Sequence, residues 1–448
     1  MINHTILTLN KKTALAFILI FTTIVVFDTS IDTFSSYSGV ELQSSLNVAI
    51  FITFYIFFLI SNVILLNSTK KTVSRTFLHF KYFQAVIVAT QILSGAFILV
   101  TVLQMLLINK YSVSLLVAQT YLSHFSALVF LLLLTFFFAR WFTSKRTYIV
   151  MLYTLAFSLA SINVAISFLY LESYLSGSNI SDIPAMPIAA YVTNFGGLPF
   201  PESLSQMFDA LSLSSFLFMW IATALILSQY RYKMGRIKYY ALMVIPLIYY
   251  IFPFENYFGN EFFTLLQSYP VFISLVYILI FSATRQVGAL LFSLAFWTTS
   301  TLVYEDRIRK SLLISSIGIA ILFGSVGRSP LQFHVYPPYG LVTEAFIPLG
   351  TYLLFVGIFT SATHISRDSQ LRKEIYRNVS SQLSLLKAIG VSQMEKELIE
   401  KTKSLEKHFR LSESEEGYLH EQLEEENAKQ ILHDVLDELY YSKSKKKI

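Results

Sequence analysis

Eleven long apolar runs dominate the first 363 residues, and they constrain the fold more than any other feature. A hydrocarbon core about 30 Å thick needs roughly 20 apolar residues for one helical span. In lipid, a helix satisfies every backbone group within its own segment. The runs are too long and too continuous for the alternating pattern of a transmembrane β-barrel. We therefore predict an all-α polytopic transmembrane helical bundle built from residues 14–27, 47–66, 83–108, 113–139, 149–171, 213–227, 240–254, 262–283, 287–303, 312–326 and 341–361.

Charge divides the chain into two regions. The last 84 residues contain 15 Lys or Arg and 16 Asp or Glu, which is half of all the charged residues. We predict a membrane bundle over residues 1–363 and a charged helical tail in the cytoplasm over residues 364–448. The excess of basic residues lies in the short loops between the apolar runs, where it sets orientation. A nucleic-acid partner is therefore not predicted, and the lipid bilayer is.

A basic pair at residues 11–12 precedes the first run, and basic clusters at 70–81, 140–146 and 231–238 follow every second run, which places them in the cytoplasm. The pattern then fails, because eleven crossings would put both the cluster at 305–310 and the tail outside. We expect about ten spans, with one of the two runs at 262–303 re-entrant or interfacial. Both termini then lie on the cytoplasmic side of the cell membrane.

The tail has the pattern of three helices. The first, at 365–386, is predicted to continue the last span, with Gly390 as a C-cap. Ser392 is predicted to open a second helix that ends near residue 409, through a capping box with Glu395. The third covers about 418–441. Their apolar stripes resemble an irregular coiled coil, so we predict that residues 365–441 bind a second copy of the chain or a cytoplasmic protein.

Polar side chains interrupt three consecutive runs, and His124 lies deepest among them. It comes eleven residues into its run, about 16 Å along a helix. Ionisable groups at that depth cost roughly 2.5–3.5 kcal/mol on insertion scales, so they are functional candidates. The alternative is a set of interhelical hydrogen bonds, worth about 0.6 kcal/mol each. The candidates near His124 are Gln91, Gln104 and Asn163.

Two features near the last run complete the set of candidates. Glu344 lies at the start of this run, and Arg328 on the same outer side is a candidate ion-pair partner; a ligand contact is the alternative. Pro348 and Gly350 just beyond Glu344 are expected to form a hinge. Small residues at helical spacing in the preceding run predict close helix packing, at Ser316, Ala320 and Gly324.

No motif for catalysis, metal binding or nucleotide binding is present. The chain has no cysteine, which excludes disulfides, thiolate metal sites and a cysteine nucleophile. We predict no enzymatic activity and no cofactor.

Several short segments resemble a group of archaeal multi-pass membrane proteins of unassigned function. They are YPPYGLVT at 336–343, YLLFVGIF at 352–359, DSQLRK at 368–373, GALLF with AFW at 288–297, and QMEKE at 393–397. The resemblance covers roughly residues 283–401. It implies a prokaryotic cell membrane and assigns no activity and no functional residues.

Two functions agree with these patterns. A last span that leads into a charged tail favours a sensory, regulatory or scaffold protein that couples the membrane bundle to the cytoplasm. The polar residues around His124 favour the alternative, a secondary transporter or channel.

Overall fold

A computed structural model describes residues 10–38, 45–73, 80–177, 202–228, 231–232, 235–251, 284–303, 305–325, 337–368 and 383–412. These ranges contain helices and no strand, which confirms the all-α fold. The helices are α1 Lys11–Ser38, α2 Ser45–Val73, α3 Phe80–Ile108, α4 Val113–Ser144, α5 Tyr148–Gly177, α6 Glu202–Leu227, α7 Arg236–Ile251, α8 Thr284–Leu302, α9 Asp306–Ser325, α10 Leu341–Ala345, α11 Ile347–Arg367 and α12 Ser384–Ser412.

Eight segments within the described residues are long and apolar enough to cross a membrane, so about ten spans is too high a prediction for this part of the chain. They are α1 to α6, α9, and α10 joined to α11. The helix α7 has 16 residues, which is short for a span. The helix α8 has 19 residues but carries Arg285 and four consecutive hydroxyl side chains. The run at 262–283 lies outside the described residues.

The outer helices present large apolar side chains to their surroundings. On α2 and α3 these include Val63, Ile92 and Leu107, which are all more than two-thirds exposed. Water solvates exposed apolar side chains poorly, whereas lipid chains solvate them well. The outer surface is therefore that of a protein in contact with a bilayer.

The helix α11 lies at the centre of the bundle and is buried from Ile347 to Thr363. It packs against α9 with the two backbones in contact. A Cβ atom on Gly318 would lie 2.8 Å from the carbonyl oxygen of Gly350, and one on Gly357 would lie 2.7 Å from the amide nitrogen of Ser315. Such short spacings require glycine and are typical of helix pairs in membranes.

The opposite face of α9 packs against α8, as its small residues predict. The Ser316 hydroxyl donates to the Ser293 carbonyl oxygen at 2.9 Å. Ala320 is buried, and a Cβ atom on Gly324 would lie within 3.3 Å of Phe21 on α1. The predicted close packing of this face is confirmed.

The tail departs from its predicted helix boundaries. The helix α11 ends at Arg367, and Asp368 is extended, with φ −103° and ψ 107°. The prediction of one continuous helix over 365–386 is therefore wrong. The helix predicted at 418–441 lies outside the described residues.

Gly390 and Ser392 both lie inside α12, so neither one caps a helix. The predicted C-cap and capping box are wrong because tertiary contacts explain both residues. A Cβ atom on Gly390 would lie 2.8 Å from Cβ of Ile365, so glycine allows α12 to approach the end of α11. The Ser392 hydroxyl donates to the Trp141 carbonyl oxygen of α4 at 3.1 Å.

Candidate functional site

The turn before the last span is held by a carboxylate from the first one. Gly340 has φ 91° and ψ −25°, which is the left-handed region that glycine adopts without strain. Its N–H donates to Asp28 Oδ1 at 3.0 Å and to Oδ2 at 3.1 Å. The Thr343 hydroxyl also donates to Asp28, and the Tyr339 hydroxyl donates to the Asn47 carbonyl oxygen at 3.1 Å. Asp28 is 1% exposed, so α1 and α2 fix this turn from inside the bundle.

A break separates α10 from α11 at Phe346. Pro348 has no N–H to donate to the Glu344 carbonyl four residues earlier, which explains the interruption. The Phe346 ring packs against Phe58 with ring centroids 5.0 Å apart. Gly350 serves the close packing against α9, and its predicted part in a hinge stays a prediction. The break positions Glu344 and Ala345 toward α3 and α4.

Glu344 and His124 meet in the bundle interior. The Nδ1 atom of His124 lies 3.0 Å from Glu344 Oε1 and 3.0 Å from the Thr120 carbonyl oxygen. The Thr120 hydroxyl donates to Glu344 Oε2 at 3.1 Å. The imidazole also packs edge-on against Phe168 of α5, with ring centroids 6.2 Å apart. An ionisable pair therefore links α4 to the start of the last span.

Side-chain amides extend this pair across to α3. Gln91 Nε2 donates to the Ala345 carbonyl oxygen at 3.3 Å. Gln119 Nε2 donates to the hydroxyls of Ser94 at 2.8 Å and of Ser123 at 2.9 Å. All these residues are at least nine-tenths buried. We call the polar seam the set Gln91, Ser94, Gln119, Thr120, Ser123, His124 and Glu344.

Three oxygen atoms in the polar seam have no hydrogen-bond partner among the described residues. They are Oε1 of Gln91, Oε1 of Gln119 and Oε1 of Glu344. These side chains are 4%, 0% and 6% exposed. His124 does not satisfy Glu344 Oε1, because its Nδ1–H is aligned with the Thr120 carbonyl oxygen. The polar seam therefore contains buried acceptors without donors, which is costly in a bilayer.

Few carboxyl or imidazole side chains are buried in the described residues. They are Asp28, His124 and Glu344. Asp28 is engaged by the turn at Gly340, so Glu344 and His124 are the buried acid and base of the polar seam. A buried charge requires compensation by a partner, by a proton or by an ion.

No protein-family model, curated protein or solved structure matches this chain. The polar seam is therefore interpreted from its own geometry.

The structure brings together His124, Glu344 and Gln91 but separates the other candidates. Gln104 Oε1 accepts from the Ser112 N–H at 2.9 Å, so it closes the α3–α4 turn outside the polar seam. Asn163 lines a cavity of about 40 Å³ together with Phe216 and Tyr250, and its Oδ1 atom has no hydrogen-bond partner among the described residues. Arg328 lies outside the described residues.

At the other end of α4, the tail helix docks on the bundle. The Trp141 indole N–H donates to Gln393 Oε1 at 3.1 Å, and its carbonyl oxygen accepts from Ser392. Arg140 forms an ion pair with Glu400, and Lys396 donates to the Arg140 carbonyl oxygen. We call the tail dock the contact set Arg140, Trp141, Ser144, Ser392, Gln393, Glu395, Lys396 and Glu400.

The end of α11 contributes to the same docking site. The Ser366 hydroxyl donates to Glu397 Oε1 at 3.2 Å, and Arg367 Nε lies 3.8 Å from Glu397 Oε2. Burial against α4 lowers the pKa of Lys396 to about 8, and the nearby Arg140 guanidinium adds to the effect. The helices α4 and α11 thus both contact α12, and both connect it to the polar seam.

Proposed function

We propose that this chain is a membrane sensor or regulatory protein in which the polar seam controls the position of the tail helix. One observation carries the proposal: α4 and the α10–α11 unit form the His124–Glu344 pair inside the bundle, and both contact the tail helix at their C-terminal ends. From His124 to Trp141 is about 26 Å along α4 at 1.5 Å per residue. A change at the pair therefore has a short, continuous route to α12.

The packing of α11 supports the transmission of a structural change from the polar seam to α12. Its contacts with α9 are at backbone distance, through Gly318 and Gly357. A close-packed core resists continuous deformation and shifts between discrete arrangements. A charge change at Glu344 is expected to move α10 and α11 as a unit, and the Ser366 and Arg367 contacts carry that movement to α12.

The proposal places the tail in the cytoplasm of a prokaryotic cell, where residues 365–441 bind a second copy or a soluble partner. The basic clusters between the apolar runs support this orientation. The resemblance to archaeal multi-pass membrane proteins supports the cell type.

A pair of spin labels tests the coupling. The chain has no cysteine, so Tyr148→Cys on α5 and Thr402→Cys on α12, both at exposed positions, give two defined labelling sites. We expect Glu344→Gln to shift the distance distribution between the labels, because it removes the charge at the polar seam. Asn163→Leu changes a buried amide away from the polar seam and is the control. Identical distributions for the Glu344→Gln variant and the unmutated background would refute the proposal.

A specific observation also favours the second candidate, a secondary transporter or channel. Ion sites in transporters are typically formed at breaks in membrane helices, and Glu344 lies beside such a break. Cation flux into liposomes that requires Glu344 would favour this candidate over a sensor.

A further inference from the structure

We infer that the polar seam binds a sodium ion between α3, α4 and α10. Sodium would be the ligand that the proposed sensor detects, and in that respect the inference rests on the proposed function. The argument begins with the three unpartnered oxygens of Gln91, Gln119 and Glu344. Each has lone pairs and no hydrogen to donate, so the missing partner is a cation or a hydrogen-bond donor.

Hydrogen bonds connect the residues that carry these oxygens. Gln91 is tied to Ala345, the neighbour of Glu344, and Gln119 is the neighbour of Thr120, which donates to Glu344. Amide and carboxylate oxygens are ligands of hard cations, whereas softer metals prefer sulfur or imidazole. The Thr120 hydroxyl donates its hydrogen to Glu344, so its lone pairs remain for the same ion.

The charge count favours a monovalent ion. Glu344 supplies one negative charge to the polar seam, and the amide ligands supply none. Asp28 is engaged by the Gly340 N–H and the Thr343 hydroxyl on the far side of the turn. The described residues contain no group of three His, Cys, Asp or Glu that could hold a metal ion. A divalent ion usually requires more carboxylates than this.

His124 leaves Glu344 Oε1 without a hydrogen bond. Its Nδ1–H is aligned with the Thr120 carbonyl oxygen, which a neutral imidazole satisfies as well as a protonated one. Because its ligands come from α3, α4 and α10, sodium would hold these three elements together.

Thermal unfolding of the full chain in detergent tests the inference. The midpoint is measured in NaCl, LiCl, KCl and choline chloride at one ionic strength and one pH. We expect a saturable rise of several degrees with sodium over choline, because an ion that binds only the folded state stabilises it. Equal midpoints in sodium and choline would overturn the inference. A midpoint that follows pH and ignores sodium would also overturn it, and would make the pair a proton site.

Variants locate the ion. Glu344→Gln and Gln91→Leu should each remove the sodium-dependent rise, whereas Asn163→Leu should keep it. If Glu344→Gln does not fold, Gln91→Leu and the comparison of salts on the unmutated chain still decide. A sodium effect that survives in Gln91→Leu would overturn the assigned site. Sodium stabilisation with an unchanged spin-label distance would retain the ion site and refute only the proposed coupling to the tail.

Discussion

The tail dock should depend on two hydrogen bonds at Trp141 more than on its surface ion pair. The indole N–H of Trp141 is buried and donates only to Gln393 Oε1 among the described residues. In Gln393→Leu this donor is left without a partner, which costs about 1–3 kcal/mol. That corresponds to about 5- to 150-fold in the opening equilibrium of α12, at about 1.4 kcal/mol per factor of ten.

Ser392→Ala should have a smaller effect on docking, because its partner at Trp141 has a second hydrogen bond. The Trp141 carbonyl oxygen also accepts from the Lys145 N–H at 2.9 Å, so it keeps one partner when Ser392 is removed. We expect a loss of about 0.5–1.5 kcal/mol. The Glu400 side chain is 64% exposed in its pair with Arg140, so Glu400→Gln should cost only about 0–1 kcal/mol.

Hydrogen exchange measures these losses directly. Amides of the docked first half of α12 exchange through local opening, so their rates report the opening free energy. Thr402→Ala removes an exposed methyl group and a hydroxyl that donates within α12, to the Leu398 carbonyl oxygen, and serves as the control. The expected order of acceleration is Gln393→Leu, then Ser392→Ala, then Glu400→Gln. If Glu400→Gln accelerated exchange most, the surface ion pair rather than the buried contacts would hold the tail.

Two further predictions concern packing and pH. In a thermal unfolding assay, Gly318→Ala should lower stability by about 1–3 kcal/mol or more, because its Cβ meets the α11 backbone. Gly95→Ala is the control and should be neutral, because its Cβ would lie 3.5 Å from a Leu59 side-chain atom. Docking should strengthen as pH rises from about 8 toward 10.5, because the undocked tail retains the Lys396 proton over that range and the docked tail loses it. Hydrogen exchange corrected for its intrinsic pH dependence checks this, and Lys396→Met should abolish the trend.

Apolar length was sufficient to predict most of the helices. The runs at 47–66, 83–108 and 113–139 lie inside α2, α3 and α4, because in lipid the backbone requirement overrides local preference. Local patterns were less informative in the tail. Glycine followed by a capping pattern at Gly390 favours a helix boundary, yet the close approach of Ile365 keeps the residue inside a helix. Side-chain patterns there could not report a contact with another helix.

The polar seam was predictable in its members but not in its pairing. His124 was a candidate because it lies deep in an apolar run. Gln91 and Glu344 were candidates because they are polar or charged residues within apolar runs. Nothing local indicated that positions 124 and 344 meet, since 220 residues separate them. Asp28 was missed as a site residue because an acid after an apolar run is typical of a loop; its role depends on a glycine amide 312 residues away.

The central position of α11 has a consequence for biosynthesis. This helix is translated after the spans that surround it, so the centre of the bundle is synthesised after its periphery. Until it arrives, α9 and α4 lack the partner that fills the space between them, and lipid or a chaperone must occupy that groove. Nascent chains arrested before Leu341 should therefore be an open intermediate vulnerable to membrane proteases, and insertion of α11 would be the committing step of assembly.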